Sequence, residues 1–223
     1  MYNTYIDGIV GIGGQVWEVL NMCAAKRLSE SERKKEIMDS AFKVIVSKGL
    51  EKTTMEEIIS GTTLSKGGVY HYYKSVNDIF KDIMISGIDY RNSIIKEHLI
   101  ECENNCMDKI MSSQLVDKII DDNPYMPLYV EFLIAKKRNP EFKIMMEELQ
   151  EQTKERFKNI IRDTPGWIFN PEIFQFTTDF INGMILAADV LEARENFKKN
   201  RHILEKMFIY IFKQGSEDSD ESL

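Results

Sequence analysis

TTMEEIISGTTLSKGGVYHYY, residues 53–73, decides the reading of this chain. Thr54 followed three residues later by Glu57, or Thr53 by Glu56, is a capping box, so a short helix is expected over residues 54–60. A tight turn comes next. Ser65 is a natural N-cap and opens a second helix that carries Lys66, Gly67, Gly68, Tyr70, His71 and Tyr72. A short helix, a turn of a few residues and a polar second helix form the outline of a DNA-binding helix-turn-helix.

The residue types suit that task. An N-cap at Ser65 leaves the free N–H groups of the helix start able to face a phosphate. Lys66 lies in the first turn, where a recognition helix meets base edges or backbone. A glycine costs about 1 kcal/mol in a helix interior, so Gly67 and Gly68 together need a reason. Close approach to a groove is one, because both remove side-chain bulk. Tyr70 and Lys74 are placed to reach phosphates, while His71 and Tyr72 lie further along and can meet bases. Val69 and Tyr73, four apart, fall on the core side. The rival is a helical hairpin of a generic bundle with its tyrosines in the core. Five polar or small residues at one helix start would then serve no packing purpose.

Working outward, Ser29 with Glu32 is a second capping box. Ile37, Ala41, Val44, Ile45 and Lys48 recur at helical spacing behind it, and Gly49 supplies a stop. Ser75 with Asp78 caps a long helix towards residue 100. Asn-Pro occurs at 123–124, 139–140 and 170–171, and each pair reads as a helix start, giving helices over 124–137, 140–163 and 171–195. Weaker patterns cover 105–120 and 198–213. Together these predict about nine helices and no strand, an all-α fold. A three-helix N-terminal helix-turn-helix head leads into a six-helix C-terminal body.

Three short helices, a long linking helix and a helical body resemble the TetR family of bacterial transcriptional regulators. The resemblance rests on LSKGGVYHYYKSVNDIF, residues 64–80, and covers residues 31–80. It implies that Lys66, Gly67, Gly68, His71 and Tyr72 face bases, and that Thr54, Tyr70 and Lys74 face phosphates. Two positions depart from the family pattern. Thr63 stands where a turn glycine is usual, and Ile59 where a small residue is usual. Either Thr63 strains a left-handed turn or the helix end shifts to Gly61. The resemblance further implies a homodimeric repressor on a palindromic duplex operator, released by a small, largely apolar ligand. That ligand would bias the body helices, move the linking helix from residue 76 and change the spacing of the two heads.

In the body, the middle helices are rich in large adaptable side chains. Met107, Met111, Tyr125, Met126, Tyr129, Phe132, Met145 and Met146, with Trp167 and Phe174 nearby, are the candidate ligand-binding set; ordinary core is the alternative for each. The last two helices are apolar on more than one face. Phe180, Gly183, Met184, Ala187, Leu191, Leu204, Phe208 and Ile211 are the candidate dimer interface. Asp179, Asn182 and Asp189 interrupt an apolar helix, either orienting a ligand, binding across a dimer or marking a solvated edge.

Charge and composition fit this division. The chain has 223 residues and a net charge of −7. Residues 22–75 nevertheless carry ten Lys and Arg against seven Asp and Glu, and residues 76–223 carry 19 against 27. A mildly basic head on an acidic body suits DNA reading by the head alone. Three cysteines and no secretory signal suggest a reducing cytoplasm. No apolar run is long enough for a membrane span. No Gly-rich phosphate loop, nucleophile elbow, HExxH or Glu-x-x-His pattern is present, so no enzymatic activity, cofactor or metal is expected. His98, Cys102 and Cys106, at intervals of four, form a weak metal or thiol pattern. The alternatives to a ligand-released repressor are a helix-turn-helix regulator under a protein co-regulator, and a helical interaction protein that binds no DNA.

The ends are expected to stand apart. Residues 1–28 read as an extension and the acidic residues 215–223 as a disordered tail. Within the extension, Trp17-Glu18-Val19 can be encoded by bases that resemble a ribosome-binding site before the Met22 codon. Residues 1–21 are therefore read as a translated leader, with a protein start at Met22.

Overall fold

The computed structural model describes residues 28–100, 107–160 and 170–217. The expectations for residues 1–27 and 218–223, and those for Cys102, Cys106 and Trp167, lie outside the described residues. The chain divides into two compact units, Met1–Glu36 and Ile37–Leu223. In the first, Ser29 and Glu32 form a reciprocal cap: the Glu32 carboxylate accepts from Ser29 N at 2.7 Å and Ser29 Oγ accepts from Glu32 N at 3.2 Å. These bonds stabilise the ionised carboxylate and hold its pKa below the ordinary value. The helix started there is α1, Glu30–Lys48.

Within the second unit, α1 buries Ile37, Ala41 and Ile45, one residue per turn. Gly49 ends it at φ 88°, a left-handed conformation in which a side chain would be strained. A 3₁₀ turn, Leu50–Lys52, leads into α2, Met55–Ser60, and α3, Lys66–Tyr72. Then come α4, Val76–Ile100, α5, Met107–Ile120, α6, Met126–Lys136, and α7, Pro140–Ile160. The chain closes with α8, Pro171–Val190, α9, Arg194–Lys199, and α10, Arg201–Glu217. The described residues contain ten α-helices and no strand. The fold is all-α.

Caps foreseen in the sequence set most of these boundaries. Thr54 and Glu57 form a full capping box on α2. Ser75 Oγ accepts from Asp78 N at 3.1 Å, and Asp78 accepts from Ser75 N at 2.9 Å. Asn170 Oδ1 accepts from Glu172 N and Ile173 N, with Pro171 as the first helical residue. Asn139 Oδ1 likewise accepts from Glu141 N at 2.9 Å. The Asn-Pro at 123–124 behaves differently. Asn123 Oδ1 accepts from Tyr125 N and Asn123 O from Met126 N, which makes a turn, and α6 starts only at Met126. The helix expected over 171–195 stops at Val190, because Glu192 turns left-handed at φ 57°. The chain then forms α9, a short helix that the sequence did not announce. α10 runs to Glu217, so residues 215–217 of the expected tail are helical.

An aromatic hub joins three helices. Phe80 of α4, Phe132 of α6 and Phe142 of α7 meet edge to face with centroids 5.3–6.1 Å apart, and all three are buried. α4 is also stitched to α7 by Asn77–Glu141, Lys81–Glu148 and Asp89–Arg156. Elsewhere α5 packs on α8 and α10, and α6 rests on the 3₁₀ turn ahead of α2.

Candidate nucleic-acid interface and internal cavity

α3 presents one face to the core and the other to solvent. Val69 is fully buried and Tyr73 nearly so. The Tyr73 hydroxyl donates to Asp82 Oδ2 at 2.9 Å, tying the end of α3 to α4. Burial and the Asp82 carboxylate raise the Tyr73 pKa, so this bond keeps its proton. On the opposite side Thr54, Ser65, Lys66, Gly67, His71 and Lys74 are exposed, and Gly68, Tyr70 and Tyr72 are half-buried. Ser65 Oγ accepts from Gly68 N at 3.2 Å and fixes the helix start.

The two glycines differ. A Cβ at Gly67 would meet nothing within 4 Å, so the protein's own packing gives no reason for the missing side chain. At Gly68 it would stand 3.3 Å from Leu64 Cδ2, so the Leu64 side chain would have to give by a few tenths of an ångström. Lys66 Nζ lies 3.5 Å from Glu56 and 5.9 Å from the centre of the Tyr70 ring. Lys74 Nζ donates to Tyr70 O at 2.6 Å, closing the last turn of α3. His71 and Tyr72 touch edge to face at 5.0 Å.

The turn resolves the Thr63 question. No residue from 50 to 75 has a positive φ, so Thr63 is unstrained. α2 ends instead at Gly61, whose N–H donates to Ile58 O and Ile59 O. Thr62 supplies the remaining bonds: its hydroxyl donates to Ile59 O at 2.9 Å and accepts from Leu64 N at 3.3 Å. Gly61 is needed for space. A Cβ there would stand closer than 3.0 Å to Ser40 Oγ, which donates to Ile58 O at 2.7 Å.

The helix-turn-helix is joined to the body at a second point. Glu131 of α6 accepts from Leu50 N at 3.4 Å, and Arg138 pairs with Glu51 at 2.9 Å.

A cavity of about 160 Å³ opens among α4, α5, α6, α7 and α8. Of the expected ligand set, Tyr125, Met126, Tyr129, Met146 and Phe174 line it. Met111, Phe132 and Met145 do not: they are buried in the core, Phe132 because the aromatic hub holds it. Met107 packs on the core from its edge. The sequence reading missed Met84, Ile88, Ile95 and Phe157, and it missed the polar lining, Arg91, Asn92, Gln114, Lys118, Gln150 and Thr153.

Lys118 is the unusual member. Burial, then the positive charge of Arg91, push its pKa down to about 8. Its ammonium lies 5.1 Å from the centre of the Tyr129 ring. Arg91 donates to Gln114 O and, at 3.4 Å, to Gln114 Oε1. Asp117, the adjacent acid on α5, is taken by Arg201. The Tyr129 hydroxyl donates to Asn182 Oδ1 at 2.8 Å, and burial raises its pKa despite that bond. Asn182 is thus a structural partner of the cavity wall. Asp189 pairs with Arg194 at 3.3 Å, and Asp179 accepts from Gln175 at 3.0 Å.

The expected dimer residues also separate. Leu204 and Phe208 are buried within the protomer, Phe208 against Phe180 at 5.6 Å, and so are not on its surface. Gly183 and Leu191 are exposed, and Phe180, Met184, Ala187 and Ile211 are half-buried. The outward apolar side chains of α8 and α10 are instead Phe176, Val190, Ile203, Met207 and Tyr210. A groove of about 630 Å³ runs between the two helices, floored by Ile173, Phe180 and Ile211. Among the described residues no cluster of three or more His, Cys, Asp or Glu is placed to hold a metal, and no helix is long and apolar enough to cross a membrane. His98 is exposed, its ring nitrogen 2.8 Å from Ile94 O.

Residues 37–83 match the family model of bacterial regulatory proteins, tetR family. The chain is 27% identical over 138 residues to the HTH-type transcriptional regulator YfiR of Bacillus subtilis (strain 168), a match spanning 60% of this chain and 65% of that protein. Among solved structures, Salmonella enterica GusR superposes with a TM-score of 0.64 at 16% identity, over 84% of this chain and 99% of its own. SCO7518, a transcriptional regulator from Streptomyces coelicolor A3(2), reaches 0.55 at 14% identity, over 74% and 97%. The fatty acid degradation regulator FadR from Bacillus halodurans reaches 0.51 at 13% identity, over 86% and 97%. At these identities the structures share the fold.

Proposed function

Because the chain belongs to the tetR family of bacterial regulatory proteins, we propose that it represses transcription in the cytoplasm as a homodimer on a palindromic operator and is released by a small ligand. The observation that carries the DNA reading is the division of α3. Val69 and Tyr73 anchor it in the core, while Lys66, Gly67 and His71 stand outward on a surface with no packing role for the bare Gly67. A recognition helix needs a fixed back and a front that can enter a groove. Lys66, Gly67, His71 and Tyr72 are the base-facing candidates, and Thr54, Tyr70 and Lys74 the phosphate-facing ones.

The dimer is proposed through α8 and α10, with a second copy covering Phe176, Val190, Leu191, Ile203, Met207 and Tyr210. Two-fold operators favour that occupant, since symmetric half-sites need two linked heads. Ligand release is supported by the cavity's position. α4 lines it and continues back to the Tyr73–Asp82 bond, while α6 lines it and carries Glu131 to Leu50. A ligand that alters how α4 and α6 pack therefore alters both supports of the head.

Gly67→Leu tests the DNA reading. The side chain has open space in the free protein, so stability should change by no more than about 1 kcal/mol, while binding to a selected duplex operator should be lost. Unchanged binding in a gel-shift titration would remove α3 from the groove.

A further inference from the structure

The described lining of the cavity holds two cations, Arg91 and Lys118, and no Asp or Glu. Among the described residues Lys118 has no hydrogen bond or ion pair; its neighbour is the face of Tyr129. Two acids outside the lining, Asp117 and Asp121, act on Arg91 by their charge. Asp117 is itself paired with Arg201, and neither acid bonds Lys118. Asn92, 9% exposed, also lines the cavity with no bonded partner for its amide among the described residues. Most of the remaining wall is apolar, including Met84, Ile88, Ile95, Met126, Leu149 and Phe157, with Gln114, Gln150 and Thr153 as neutral polar members.

An ammonium held inside a protein beside a guanidinium is costly, because burial strips its water and the like charge repels it. Natural interiors normally answer such a charge with a carboxylate. Here Asp117 and Asp121 answer Arg91 in part. Lys118 has no acid of its own among the described residues, and the positive pair borders a mostly apolar cavity. An oxyanion complements that arrangement. It would take charge-assisted hydrogen bonds from Lys118 and from guanidinium N–H groups that Gln114 leaves unused, with the Asn92 amide as a further donor.

We propose that the cavity binds an amphipathic organic anion, its oxyanion head on Lys118 and Arg91 and its apolar part among Met84, Ile88, Ile95 and Phe157. This rests on the ligand-released reading above and gives that ligand a charge. It changes the expectation of a largely apolar effector into an apolar acid. The head draws α4, through Arg91, towards α5, through Lys118, so binding acts on the helix that continues into the head.

The test uses the full chain with three probes of one tail: octanoate, octyl phosphate and 1-octanol. Binding is measured by calorimetry at pH 7 for wild type and for Lys118→Met. At least one acid should bind about tenfold or more tightly than octanol, the gain expected of a charge-assisted hydrogen bond, and the preferred acid identifies the head as carboxylate or phosphate. Lys118→Met should remove most of that preference. Octanol binding as well as both acids would overturn the proposal, as would an acid preference that survives Lys118→Met. No binding by any probe also overturns it. If a wider screen of neutral apolar compounds then still lowers operator affinity, the ligand-released reading stands without the anion.

Discussion

Gly61→Ala should damage the helix-turn-helix by a route that can be isolated. The backbone there, φ −89° and ψ 4°, is open to any residue, so the cost is one of space. The new methyl would stand closer than 3.0 Å to Ser40 Oγ and 3.3 Å from Ser40 Cβ. Ser40 is buried at 4% exposure and cannot swing into solvent. Either its hydroxyl rotates away and loses the bond to Ile58 O, about 1 kcal/mol, or α1 and α2 separate, at about 1–3 kcal/mol for overpacking. The gain from restricting the unfolded chain, about 0.4–1 kcal/mol, offsets part of this. The expected net loss is about 1 kcal/mol, or roughly 2–4 °C in melting temperature for a chain of this size. Ser40→Ala alone should cost about 1 kcal/mol, since Ile58 O keeps the Gly61 N–H at 3.1 Å. Combined, the two changes should cost clearly less than their sum, with a coupling of about 1 kcal/mol, because the clashing oxygen is gone. Denaturant unfolding of the four proteins measures this. If Gly61→Ala costs the same with and without the Ser40 hydroxyl, the steric argument fails.

Lys66→Ala should weaken specific operator binding by about 1–3 kcal/mol if it meets a base, and Tyr70→Phe should weaken binding to all duplexes alike if it meets only phosphate; gel shifts at fixed salt that show both unchanged would contradict the assignment. Met207→Glu should give monomers by light scattering without loss of helicity, because Met207 is exposed in the protomer and a charge there opposes burial under a second copy; a wild type that is already monomeric at micromolar concentration removes the dimer. Lys118→Met should stabilise the free protein at pH 7. The Lys118 pKa is pushed down to about 8, below its value of about 10.4 in an unfolded chain. The burial cost, about 3 kcal/mol, is therefore complete below pH 8 and fades as pH rises towards 10. Melting of the wild type should rise across that window and that of Lys118→Met should not; parallel profiles would refute it. Arg138→Ala should leave the cavity intact and loosen the head, seen as faster amide exchange at Leu50, and unchanged exchange there would show that the Glu51 pair supports nothing.

The sequence displays what depends on neighbouring residues and conceals what depends on distant ones. Caps at Ser29, Thr54, Ser75 and Asn170 were legible because each partner lies two or three positions away. So was the split between Val69 and Tyr73 on one side of α3 and Lys66 and Gly67 on the other. The stop after α8 was not, because nothing local in Leu-Glu-Ala-Arg announces a left-handed Glu192. In α10 two apolar stripes were evident, but not which faces inward. Leu204 and Phe208 took the core, leaving Ile203, Met207 and Tyr210 outside. The cavity concealed itself for a related reason. Charged residues such as Arg91 and Lys118 read as solvent face until five helices close around them, while large apolar residues such as Phe132 are equally suited to a wall or to a core.

One element belongs to two tasks. α6, with its capping residue Tyr125, lines the cavity through Met126 and Tyr129 and reaches the turn before α2 with Glu131. Eleven residues of one helix behave as a single rod of roughly 16 Å, so the two ends cannot adapt independently. For a lineage acquiring a new effector, this makes the wall of α6 pleiotropic. A substitution at Met126 that admits a different molecule also shifts the rod beneath the head, and operator affinity drifts with it. Substitutions on the α4, α7 and α8 sides of the cavity do not move this rod directly. Specificity should therefore diversify first at Ile88, Phe157 and Phe174, and changes in α6 should persist mainly alongside compensating ones at Glu51 or Arg138.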